Sequence, residues 1–145
     1  MTCIIGAKCA EGCVIVSDTK ILREFEANNE SKIAKLWDKV VTAGAGNTAI
    51  IDSFVSEISR SEIPNTPNFI TAIRTIEDIA HSLQGRYRPR IEDYQFDALV
   101  MGLQEFNTGE PYLRRIYCEG ISEEVKEIWN QKSTSLQACV LNLTN

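Results

Sequence analysis

The apolar positions of the chain fall into runs whose period changes along it. Residues 3–9 and 12–17 are β-branched, cysteine-rich apolar runs separated by Ala10-Glu11-Gly12, which predicts an opening hairpin with glycine near its turn. Thr19 to Glu30 is polar and charged and reads as a loop. Short apolar runs return at Ile33 to Trp37 and Val40 to Ala43, around Asp38-Lys39, and predict a second hairpin whose last strand is expected to end in Ala43-Gly44-Ala45-Gly46.

The period then becomes helical. In TAIIDSFVSEISR the residues Ile50, Ile51, Phe54, Val55 and Ile58 share one face, and Asn47 or Thr48 suits the N-cap. After the breaker Pro64-Asn65-Thr66-Pro67, a stripe of Phe69, Ile70, Ile73, Ile76, Ile79, Ala80 and Leu83 predicts a second helix, with Gly85 as its C-cap residue. Strand character resumes at Phe96 to Leu103. The turn-rich segment from Asn107 to Pro111 leads into a further strand at Tyr112 to Cys118. Beyond Ile121 the pattern is ambiguous: Val125, Ile128 and Trp129 suit a short amphipathic helix, and a Ser/Thr/Asn-rich tail follows. Strands grouped apart from helices predict α+β layers rather than alternating βαβ units. No internal repeat or low-complexity tract is present.

Composition narrows the class. With 145 residues, 43% of them hydrophobic and 24% charged, the chain is sized for one domain, 1–145, with a real core. No apolar run approaches the roughly 20 residues of a membrane-spanning helix. The start lacks the basic flank, long apolar core and cleavage site of a secretory signal, so a cytoplasmic location is expected, with no membrane partner. The five cysteines, Cys3, Cys9, Cys13, Cys118 and Cys139, form no CxxC pairs and read as reduced thiols, with no metal site. A formal net charge of -5 offers no basic face for nucleic acid, and the interrupted group Arg86, Arg88, Arg90 reads as a solvated loop. Glu123, Glu124 and Glu127 with Lys126 read as a solvated helical face. His81, the single histidine, could pair with Cys3, Cys9 or Cys13 as a nucleophile and base, but an ordinary helix residue is the favoured reading.

The candidate chemistry lies at the start. Methionine before a small residue is commonly removed, which would leave Thr2 with a hydroxyl and a free α-amine on one residue. A threonine hydroxyl becomes a nucleophile when a base takes its proton, and the N-terminal amine is such a base. Its ordinary pKa of about 7.7–8.0 is lowered further by a nearby cation. Lys32 is the candidate cation, and Asp18 the anion that would hold it. A backbone N–H at a glycine turn before a helix can stabilise a developing oxyanion, and Gly46 occupies such a turn. Taken singly each residue is ordinary. Their order and spacing carry the argument.

The run TxxxGxxxxxGxVxxxDT at Thr2, Gly6, Gly12, Val14, Asp18 and Thr19, followed by Lys32-Ile33 and by Gly44 to Gly46 before a helix, resembles a proteasome β-type subunit, within the N-terminal-nucleophile (Ntn) hydrolases. The resemblance is strongest over 2–60 and continues more weakly to 120 through DALVMGLQ and YLRRIYCEG. The loop between Asp18 and Lys32 is shorter than in the family. The N-terminal helix of α-type subunits is not found ahead of the first strand, which favours the β type. The resemblance implies an α-β-β-α sandwich, incomplete at its C-terminal side, and threonine-type peptide hydrolysis with no cofactor. Thr2, Asp18 and Lys32 would be catalytic, Gly46 the oxyanion donor, and Ile21 and Gly44 would line the substrate pocket, with Gly44 leaving it roomy. Partners implied are a peptide or unfolded-protein substrate and other proteasome-like subunits in a ring-shaped homo-oligomer. The family's Gly-Ser-Gly segment and later Asp find no match in this sequence. Apolar surface is therefore expected on the side those elements would cover, and the alternative reading is a non-catalytic structural or assembly subunit.

Overall fold

The computed structural model describes residues 2–9, 12–17, 20–23, 26–29, 33–37, 40–61, 63, 68–103, 111–125 and 140–143. Side chains are described for most of these, though not for Thr2, Cys3, Cys9, Trp37 or residues 20–23, 26–29 and 140–143. The predicted opening hairpin is present as β1 (Thr2–Cys9) and β2 (Gly12–Ser17), in antiparallel register from Ile4↔Ser17 to Cys9↔Gly12. The polar stretch read as a loop contains a second hairpin, β3 (Lys20–Arg23) and β4 (Glu26–Asn29), which correction reflects pairing that no apolar alternation announced. β5 (Ile33–Trp37) and β6 (Val40–Gly46) follow, and β6 ends in the Ala-Gly-Ala-Gly segment as expected.

Helix α1 (Thr48–Arg60) buries Ile50, Phe54 and Ile58, spaced four residues apart on one face. Asn47 is its N-cap, its Oδ1 accepting the Ala49 N–H at 2.9 Å. Helix α2 (Phe69–Tyr87) buries Phe69, Ala72, Ile73, Ile76, Ala80 and Leu83, and Asn68 caps it. The expected C-cap at Gly85 is overturned, because α2 continues to Tyr87. Tyr87 packs against the helix-side core and its hydroxyl lies 3.3 Å from Ser53 Oγ of α1, which gives the extra turn a reason to stay helical. Arg88 closes α2 by donating its N–H to the Gln84 carbonyl at 3.0 Å, ahead of Pro89, which cannot extend the helical ladder.

The later strands are β7 (Phe96–Leu103), β8 (Pro111–Tyr117), β9 (Ser122–Glu124) and β10 (Val140–Leu143). Val125 donates its N–H to the Leu113 carbonyl at 2.8 Å, so the segment expected to begin a short helix here runs extended beside β8. Ile128 and Trp129 lie outside the described residues. The tail is also corrected: β10 pairs with β1 from Thr2↔Leu143 to Ile5↔Val140.

Two sheets result beside the β3–β4 hairpin, ordered β10-β1-β2 and β5-β6-β7-β8-β9. One core, built on Ile50, Phe54, Phe69, Ile76, Phe96 and Ile116, joins the helices to the five-stranded sheet. Within it the Phe54 and Phe96 rings meet at 4.8 Å between centroids. A second core, of Ile4, Ile15, Ala43, Ala45, Leu99, Leu113 and Val125, joins the sheets to each other. The layers are thus α-β-β. On the far face of the three-stranded sheet Val14 and Val16 are 53% and 55% exposed.

Candidate active site

The path of β1 across the larger sheet locates its N-terminal end. Lys8 reaches Glu124 of β9 at 3.6 Å and stands over the Tyr112 ring of β8 at 5.8 Å. Gly6 lies against Leu99 of β7 and Leu113 of β8. Ile4 belongs to the intersheet core that contains Ala43 and Ala45 of β6. Read backwards from Lys8 to Ile4, the strand moves from the β9 edge towards β6. Thr2 is the first residue of β1 at that end, placed by its pairing with Leu143.

Gly46 ends β6 at φ +124, a conformation that side-chain-bearing residues rarely adopt. Successive pairs in an antiparallel ladder alternate between those that exchange hydrogen bonds and those that do not. Asn47 donates its N–H to the Gln95 carbonyl at 3.0 Å, so Asn47–Gln95 is a bonded pair and Gly46–Phe96, one step along, is not. The Gly46 N–H therefore points away from β7, towards the side on which β5 pairs, and that described pairing stops at Ala43. A backbone donor is left outside the β6–β7 ladder at the mouth of α1.

Gly44 is buried, and a Cβ built on it would meet Ile51 Cγ2 at 2.9 Å and Cγ1 at 3.0 Å. The neighbour on that side is the α1 side chain Ile51, which a larger residue at this position would have to displace. Asp18 and Lys32 lie outside the described residues. Ile21 is placed only by its strand, where it pairs with Asn28.

A polar group that the sequence reading missed lies one strand further in. Asp97 pairs in register with Ala45, the residue before Gly46, and accepts a hydrogen bond from Arg115 Nη2 at 2.9 Å. Arg115 stacks over the Tyr117 ring at 4.5 Å, and Tyr117 donates to Glu123 at 2.7 Å. Burial holds the Asp97 carboxyl above its ordinary value and outweighs the Arg115 hydrogen bond and charge, which pull it down. Burial also opposes the Arg115 guanidinium, but Asp97, first by its hydrogen bond and then by its charge, raises Arg115 overall. Among the described residues, Arg115 Nε, Gln95 Oε1 and Tyr94 Oη are buried without hydrogen-bond partners. The signal for the pair was an acid inside FDALVMGL and an arginine inside YLRRIY.

The Cys–His alternative finds no support at Cys13. His81 is exposed on α2 with Nδ1 3.2 Å from the Glu119 carbonyl, whereas Cys13 packs against the intersheet core on the other face of the five-stranded sheet. The Cys3 and Cys9 side chains are outside the described residues. A 230 Å³ cavity lined by Cys13, Met101, Gly102, Leu103 and Pro111 sits at the opposite end of β7 from Gly46. It is remote from the candidate chemistry. Among the described residues no cluster of His, Cys, Asp and Glu could hold a metal ion, and no helix is long and apolar enough to cross a membrane.

Similarity to known proteins follows the same lines. No curated protein matches the sequence. Among solved structures, Anbu, described as an ancestral β-subunit, from Yersinia bercovieri superposes with a TM-score of 0.74 at 17% identity, over 97% of this chain and 59% of that one. An Anbu mutant from Hyphomicrobium sp. strain MC1 gives 0.73 at 21% identity, over 88% and 57%. A further Anbu structure from the same organism gives 0.70 at 19%, over 86% and 57%. The chain spans less than two thirds of the length of these structures, and the likeness is one of fold. The sequence profile of the proteasome subunit family matches residues 1–131. The chain belongs to the proteasome subunit family.

Proposed function

We propose that this chain is a β-type, threonine-dependent peptide hydrolase whose nucleophile is Thr2, freed by removal of Met1. The observation that carries the reading is the Gly46 N–H, outside the β6–β7 ladder at a positive-φ turn before α1, with the N-terminal end of β1 approaching the same strand. Thr2 Oγ attacks the scissile carbonyl while its own α-amine takes the hydroxyl proton through a water. The Gly46 N–H stabilises the oxyanion. The amine of the departing peptide takes the proton back, leaving an acyl ester on Thr2 that water then hydrolyses. Lys32 lowers the pKa of the α-amine by its charge, and Asp18 keeps Lys32 protonated and oriented.

Ile21 and Gly44 border the substrate side chain, with Ile51 of α1 beside Gly44. The substrate is a peptide or unfolded segment. The chain acts with other proteasome-like subunits in a cytoplasmic, ring-shaped homo-oligomer, and the exposed Val14 and Val16 are consistent with a face covered on assembly.

Intact mass and covalent labelling test this. The expected result is loss of one methionine from the purified chain, and a peptide epoxyketone or β-lactone adduct located on Thr2. A folded, Met-free sample that forms no adduct refutes the hydrolase reading and leaves a structural or assembly subunit.

A further inference from the structure

The turn that carries Gly46 is gripped from two directions by its neighbour. On the strand side, the Asn47 N–H donates to the Gln95 carbonyl at 3.0 Å, the last bonded pair where β6 meets the segment before β7. On the helix side, Asn47 Oδ1 accepts the Ala49 N–H at 2.9 Å, and the Asn47 carbonyl accepts the Ile51 N–H at 3.1 Å. Asn47 keeps extended backbone, φ -69 and ψ 124, while doing both. Gly46 is enclosed between the Ala45–Asp97 pair and the Asn47–Gln95 pair, with the Gln95 carbonyl standing where its side chain would be. The frame is firm on both sides, since Ile50, Phe54 and Phe96 are almost fully buried.

We propose that Asn47, clasped between Gln95 and the first turn of α1, is a positioning residue for the Gly46 oxyanion donor. The inference rests on the hydrolase reading above. Fixing Asn47 fixes the peptide that follows Gly46, and the ladder pair at Ala45 fixes the one that precedes it. The direction of the Gly46 N–H is then set before substrate arrives. An oxyanion donor is effective because it costs no reorganisation when charge develops. Without the side-chain cap the Ala49 N–H loses its acceptor, the first turn frays, and the Asn47 torsions that aim the turn become free.

A built-in comparison separates positioning from simple stability. Asn68 caps α2 in the same way, its Oδ1 accepting the Thr71 N–H at 2.8 Å, in a place remote from Gly46. Steady-state hydrolysis of a fluorogenic peptide should be measured on the Met-free full chain and on Asn47→Ala, Asn47→Ser, Asn47→Gly and Asn68→Ala. Alongside it, the affinity for a peptide aldehyde, whose adduct carries the tetrahedral oxygen, is compared with that for the matching alcohol. Asn47→Gly guards against misfolding, because glycine is tolerated at an N-cap while offering no side-chain acceptor.

The expected result is a kcat lower by about 10–100-fold for Asn47→Ala and Asn47→Gly, with a like loss of aldehyde affinity and KM unchanged. Asn47→Ser, which keeps an acceptor, restores most of the rate, and Asn68→Ala loses thermal stability but not kcat. Equal kcat in the Asn47 and Asn68 variants, or losses shared by aldehyde and alcohol alike, overturn the inference and leave the hydrolase reading intact. Absence of both turnover and adduct in the unaltered chain overturns the hydrolase reading, and this inference with it.

Discussion

A Cβ placed on Gly46 would stand 2.1 Å from the carbonyl oxygen of Gln95, closer than any side chain can be accommodated against backbone. The same residue has φ +124, so the obstruction and the backbone conformation exclude a side chain independently. Gly46→Ala is expected to destabilise the fold by at least about 1–3 kcal/mol. It should also abolish peptide hydrolysis by displacing the turn. Urea unfolding midpoints give the first quantity, and a variant as stable as the parent would contradict the geometry.

Gly44 and Ile51 form a different kind of pair, in which a movable side chain rather than backbone is in the way. Gly44→Ala should cost about 1–3 kcal/mol by overpacking against Ile51. Shortening the partner creates room, so Gly44→Ala with Ile51→Ala should show a favourable coupling in a double-mutant cycle. Additive losses would mean that the two positions do not share the space.

Asp97 and Arg115 make a directional prediction in acid. The raised carboxyl value means that the folded chain holds this proton more tightly than the unfolded chain. The stability it contributes is therefore fully present below the unfolded pKa and is lost as pH rises through the folded one. Asp97→Asn should flatten the part of the pH dependence of the melting temperature that lies above the ordinary carboxylate range. Arg115→Leu should destabilise the protein at neutral pH by about 1–3 kcal/mol, the low end applying because the arginine is a third exposed. Adding Asp97→Asn should recover part of that loss.

At the alkaline end, burial pushes the Cys118 thiol up to about 11 and the Tyr94 hydroxyl up to about 12. Both are acids held neutral by the fold. Their contribution is present below the unfolded values and is lost as pH rises from about 9 towards about 11 for Cys118, with Tyr94 following. Melting temperature should fall over that window, and Cys118→Ala should remove part of the fall. Peptide-resolved alkylation at pH 8 should find Cys118 slow in the folded chain and ordinary in denaturant. Rapid folded-state labelling would show the thiol to be less buried than the fold makes it.

The helix-side core gives the largest expected loss. Phe54 is fully buried and meets Phe96 across the helix–sheet boundary, so Phe54→Ala should cost about 3–5 kcal/mol. A chemical denaturation curve shifted by less than about 1 kcal/mol would mean that the helix layer collapses onto the cavity.

The amphipathic periods of α1 and α2, the opening hairpin and the β7–β8 pair were legible in the sequence, because each is written in residues only a few positions apart. The family pattern was equally local, from Thr2 to Gly46. Gly85 was misread because glycine at the end of an apolar stripe usually stops a helix, and here Tyr87 reaches back to Ser53 and keeps the last turn in place. The neighbour of Gly44 is Ile51 of α1, and a missing side chain in the sequence reveals nothing about what stands beside it.

What the sequence determined by itself was the inventory of elements, the order of hydrophobic periods and the chemistry gathered at the start of the chain. The tertiary structure decided how distant segments meet. β10 completes the sheet of β1 across almost the whole chain length, from Thr2↔Leu143 to Ile5↔Val140, although its residues read as a tail. Asp97 faces Arg115, and the Gly46 N–H is turned out of its ladder by a register that β7 imposes. Local pattern fixes which face of a strand is apolar. Register and partner are set by contacts far apart in sequence, and no local period encodes them.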